Sequence, residues 1–143
     1  MAADWHVSAS EDRKILEDWI ETLCIELELD KPAQAFLVLK ETLHAIRDFL
    51  PLDRAILLSE KLPFIIRCIY LAGWDPSSAQ SNAQSRGAFF GRILQRFGAA
   101  HPTKPEEAVV AVLSLLRGKV SNVQGDNVKI LLFRDFLKTT VDA

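Results

Sequence analysis

The chain has 143 residues, 49% of them apolar and 25% charged, with six Gly and six Pro. That is one globular domain's length and mixture, which excludes a disordered or loop-rich chain and needs no disulfide or metal staple. A formal charge of −2 excludes the basic balance of a nucleic-acid binder.

Taken in chain order, Asp4 to Ser8 is a loose lead-in and Ser10 an N-cap, with Glu11 and Asp12 favourably placed in the first turn. Leu16, Ile20, Leu23 and Leu27 then form one stripe, widened by Trp19 and Cys24, over an acidic helix of about residues 11–28. Its other face carries Glu17, Asp18, Glu21 and Glu28. Asp30 is placed to cap a second helix that opens at Pro32 and ends before Pro51, with Phe36, Leu39, Leu43, Ile46 and Leu50 as its stripe. A shorter helix spans residues 52–61, and Leu62-Pro63 marks a joint.

From Phe64 to Ala72 the segment is apolar all round except for Arg67, so this helix is expected at the centre of the fold, stopped by Gly73. Ser77 to Gln84 is the one long loop candidate. Arg86 to Phe97 is helical, stopped by Gly98, and Gly87 with Gly91 points to close helix packing. Thr103-Lys104-Pro105-Glu106 is a capping box for a helix reaching Arg117, with Gly118 as its stop. Ser121-Asn122-Val123-Gln124 is a second capping box, and a last helical region runs to about Thr140. No segment alternates as a strand does.

The expected fold class is all-α: a multi-helix orthogonal bundle of about six to eight helices in one domain, 1–143. Shifted by 70 residues, the chain partly matches itself. Leu43, Ile46, Arg47 and Leu50 fall on Leu113, Leu116, Arg117 and Val120, and Pro51 falls on Ser121. This predicts two weakly similar helix–turn–helix units, about 34–74 and 104–140. The charge is also divided. Residues 1–82 carry 8 Lys and Arg against 14 Asp and Glu, and residues 83–143 carry 9 against 5. The two parts are expected to fold against each other, or else to meet between chains through a contact that salt weakens.

Cys24 and Cys68 lie in apolar stretches and are expected as buried thiols. No signal peptide opens the chain, and its longest apolar segment is too short to span a bilayer, so a cytoplasmic protein without membrane contact is expected. Glu41-Thr42-Leu43-His44, with Asp48 a turn later, has a metal-site spacing but no second copy, so no metal and no cofactor is expected. Arg67, Tyr70, Trp74 and Asp75 form the most pointed group. Three of them share a face if the helix holds to its end. Arg67 then either pairs with a carboxylate such as Asp75, or with helix-end carbonyls, or belongs to a binding patch.

The run Leu43-His44-Ala45-Ile46-Arg47-Asp48-Phe49-Leu50-Pro51, then Leu62-Pro63, then Arg67-Cys68-Ile69-Tyr70-Leu71-Ala72-Gly73-Trp74-Asp75-Pro76 resembles the hallmark of domain of unknown function 2267. The resemblance spans roughly residues 10–140 and is most specific at Gly-Trp-Asp-Pro; at the second joint this chain has Leu132-Phe133 where the family tends to repeat Leu-Pro. It implies an all-α fold and a bacterial source, and carries over no catalytic residue. The expected function is a non-catalytic protein-interaction or scaffold domain, with a homo-oligomer or a protein partner and no nucleic acid. The alternative is a small-molecule-binding helical domain with its site near Arg67 and Trp74.

Overall fold

The computed structural model describes residues 2–79 and 86–120. These hold seven helices and no strand: α1 (Ala2–Leu27), α2 (Pro32–Phe49), α3 (Leu52–Lys61), α4 (Phe64–Leu71), the single turn α5 (Pro76–Ala79), α6 (Arg86–Phe97) and α7 (Pro105–Lys119). The other six helices form an all-α bundle around one apolar core. Part of the Ser77–Gln84 stretch, the second capping box and the last helical region lie outside the described residues.

The helix boundaries follow local chemistry, with several corrections. α1 begins at Ala2, so Ser10 lies inside the helix and caps nothing. Two alanines at its start are strong helix formers and let the helix extend past the Ser10 signal. At its other end Glu28 is left-handed, with φ of 54°. The Leu29 amide donates to the Cys24 carbonyl at 2.9 Å and the Glu28 amide to the Ile25 carbonyl at 3.4 Å. That pair of bonds is the Schellman closure, and Leu29 buries itself beneath it. α2 is capped at Lys31, not Asp30, and α7 at Lys104, not Thr103. The Glu107 carboxylate, one residue beyond the expected Glu106, accepts from the Lys104 amide. α7 also runs through Gly118, because one exposed glycine near a helix end costs less than the turns already formed.

The two leucine–proline joints have nearly the same geometry. Leu50 and Leu62 are extended (φ −73°, ψ 149° and φ −84°, ψ 145°), as a residue before proline must be. Both leucines are buried and anchor the joints in the core. Gly73 and Gly98 take positive φ, 69° and 84°, where α4 and α6 stop.

The centre of the fold is α2, not α4. α2 packs against α1, α4, α6 and α7 and buries eight of its residues, Arg47 included. α4 has two turns and buries only Ile66 and Tyr70, while Phe64 is 63% exposed. Apolar character all round a helix this short leaves its outer side facing solvent once α1, α2 and α3 occupy the rest. Cys68 is on that outer side and exposed, and Cys24 is only partly buried, so neither is the buried thiol expected; both are free. Phe36 in α2 is likewise at the surface. On α6, nothing among the described residues lies near where a Cβ of Gly87 or Gly91 would stand, so the pair does not mark close packing among the described helices.

The three apolar pairs matched by the 70-residue shift from Leu43 and Leu113 to Leu50 and Val120 are buried in both places. α2 and α7 end at corresponding positions, each with a proline in its first turn. The matched arginines differ: Arg47 is buried and Arg117 exposed. Two ion pairs, Lys119 with Asp18 and Arg92 with Asp48, join the basic later part to the acidic earlier part.

Candidate functional site

Arg47, Asp48 and Arg67 of the hallmark run converge on the C-terminal ends of α3 and α4. A helix end leaves carbonyls without partners and carries partial negative charge, so donors and cations are favoured there. At the end of α4, Arg47 reaches across from α2. Its Nη1 donates to the Tyr70 carbonyl at 2.8 Å and the Ala72 carbonyl at 3.1 Å. One turn earlier on α2, His44 Nε2 donates to the Ile69 carbonyl at 2.7 Å, which fixes its tautomer with the proton on Nε2.

Arg47 is itself deeply buried, its side chain 5% exposed, and a buried charge needs a counter-ion. Asp48 supplies it, accepting Arg47 Nε at 2.9 Å and Nη2 at 3.3 Å. Arg92 from α6 reaches the same carboxylate at 2.7 Å, so Asp48 is held between two guanidinium groups. Burial alone would raise the Asp48 pKa, but the hydrogen bonds and charges of Arg47 and Arg92 outweigh it and hold the carboxyl below its ordinary range. Burial, aided by the charge of Arg47 and opposed by the Ile69 hydrogen bond, holds His44 below the ordinary histidine value.

The end of α3 is closed from α4. Arg67 Nε donates to the Ser59 carbonyl at 2.8 Å and Nη2 to the Leu62 carbonyl at 3.1 Å. Tyr70, buried, donates its hydroxyl to the Ala55 carbonyl at 2.9 Å. Burial pushes the Tyr70 phenol well above its usual pKa, so it stays a donor. Arg67 and Tyr70 therefore meet on α3, and the guanidinium pairs with helix-end carbonyls rather than with Asp75.

Trp74 and Asp75 stand apart from them. The helix stops at Leu71 and Gly73 turns the chain, so Trp74 does not share the α4 face of Arg67 and Tyr70. Trp74 packs its ring on the core, and its indole N–H is buried without a partner. Asp75 opens α5: its Oδ1 accepts from the Ser77 amide at 3.1 Å and the Ser77 hydroxyl at 2.6 Å.

The Glu41–His44–Asp48 spacing assembles no metal site. Among the described residues no three His, Cys, Asp or Glu side chains are placed to hold an ion, and His44 Nε2 already serves Ile69. Arg47, Asp48 and Arg92 form a site that spacing alone does not single out. The available signal is that Arg47-Asp48 lies inside the hallmark run. No helix among the described residues is long and apolar enough to cross a membrane.

Compared with known proteins, residues 16–137 match the family model described as an uncharacterized conserved protein, DUF2267. No curated protein matches the chain.

Proposed function

We propose that this chain, which belongs to the DUF2267 family, is a non-catalytic protein-interaction or scaffold domain. One observation carries the reading. Ile56, Leu57 and Phe64, three large apolar side chains in one short stretch, are 43%, 37% and 63% exposed. Apolar side chains gathered at a surface mark contact sites, and here they border the helix ends that the hallmark residues brace. Arg47, Asp48, Arg67 and Tyr70 are meanwhile engaged with backbone carbonyls and with one another, which is support for a rigid platform.

The domain then works in the cytoplasm, through protein contacts and without nucleic acid, in keeping with its small negative charge and free thiols. The test is affinity capture from the native host with the full chain, beside a Leu57→Glu variant. A protein retained by the parent chain and lost by the variant supports the reading; equal retention counts against it.

A second reading rests on the indole N–H of Trp74, buried without a partner. A small ligand near Trp74 and Arg67 would satisfy it. Native mass spectrometry would then show an added mass on the parent chain that Trp74→Phe removes; a bare chain in both removes this reading.

A further inference from the structure

We infer that the outer face of α3 is a self-pairing surface, and that its occupant is α3 of a second copy of this chain, antiparallel about a two-fold axis at Leu57. This rests on the interaction-domain reading and gives it a partner.

Among the described helices α3 packs chiefly on α4, and it buries Ala55, Leu58 and Ser59. At 100° per residue these lie on one side, which leaves Asp53, Ile56, Leu57 and Glu60 on the other. All four are exposed. The face therefore has an aliphatic middle, Ile56 and Leu57, with charge toward both ends of the helix. The order of those charges selects the partner. An acid, Asp53, lies four residues before Leu57 and a base, Lys61, four residues after it, so all three share one stripe of the helix. When two such helices run antiparallel with Leu57 against Leu57, Asp53 falls opposite Lys61 of the second copy. The two-fold axis makes this match twice. A parallel pair in register would set like charges together, so the sequence of signs fixes the direction as well as the partner.

The experiment is sedimentation equilibrium of the full chain over a wide concentration range. The parent chain is expected to pass from one chain mass toward two as concentration rises. Leu57→Glu and Asp53→Lys are each expected to weaken pairing by roughly tenfold or more, because each sets like charges across the axis. Asp53→Lys combined with Lys61→Asp restores opposite signs and is expected to recover pairing to within about threefold of the parent. Leu57→Cys in a Cys24→Ala/Cys68→Ala background gives a readout that needs no charge change. A short thiol crosslinker should link it into a dimer faster than Ile25→Cys in the same background.

A parent chain that stays monomeric throughout, a Leu57→Glu dimer as tight as the parent, a double swap without recovery, or equal crosslinking at residues 57 and 25 overturns the inference. The interaction reading fails separately. If the chain is monomeric yet Leu57→Glu still abolishes capture of a host protein, self-pairing is wrong and the reading stands; if the chain is monomeric and Leu57→Glu leaves capture unchanged, both fall.

Discussion

The C-terminal ends of α3 and α4 are both closed by an arginine, but the two arginines live in different surroundings. Arg47, closing α4, is almost fully buried and is matched by Asp48, which Arg92 grips in turn. Arg67, closing α3, is half-buried and makes its bonds to carbonyls, with no ion pair among the described residues. The difference teaches what burial demands. An arginine still touching water can be neutralised by solvent and helix-end carbonyls together. One sealed in the core needs a full opposite charge, and that charge needs further donors.

The comparison is broken most directly at Arg47. Arg47→Met strands the Tyr70 and Ala72 carbonyls and leaves Asp48 with Arg92 alone. Breaking a buried pair in this way costs about 3–5 kcal/mol. Urea unfolding reads it, and a loss no greater than that of Arg67→Leu would sink the distinction. Arg67→Leu should cost about 1–2 kcal/mol, since water can reach part of what the guanidinium served. The same measurement separates support from binding: unchanged stability would return Arg67 to the binding patch.

The pH response comes next. His44 is held below the ordinary value near about 6.5, so as pH falls past it the unfolded chain takes up a proton that the folded chain refuses. Stability is therefore full above that value and declines below it, toward the lowered folded pKa. Asp48, also lowered, adds a second loss below about pH 4, where the unfolded carboxyl protonates first. His44→Gln should flatten the first decline and leave the second in place; unfolding curves at stepped pH decide it. The smallest effect concerns a helix end closed with no arginine at all. α1 ends on its own backbone with Glu28 left-handed, and Glu28→Gly should stabilise the protein by about 1 kcal/mol, read as a higher melting temperature.

Much of the fold was legible because proline and glycine act locally. Pro51, Pro63, Gly73 and Gly98 end helices where their backbone preferences require it. Gly118 and Ser10 carry equally local signals, and the neighbouring turns override both. The choice of central helix failed for a different reason. Hydrophobicity identifies what can be buried, not how many neighbours arrive to bury it, so eight apolar residues outranked the longer α2 with its charges. At the site, Arg67 stood out as an odd charge in an apolar helix. Arg47 and Asp48 did not, since on α2 they resemble an ordinary polar face. Nothing in spacing shows that adjacent opposite charges can neutralise each other and enter the core together.

The helix-end bonds also bear on how the chain acquires its shape. Those closing α4 join residues 23 to 25 apart, and those closing α3 join residues 5 and 8 apart, all between His44 and Ala72. Such short loops are quickly closed, so this stretch is suited to organise early, before the distant pairing of Asp18 with Lys119, 101 residues away. Once formed, α3 and α4 cannot loosen separately, because the residue that closes α3 is carried by α4. Native-state hydrogen exchange should find their amides opening as one cooperative unit, with a shared dependence on denaturant.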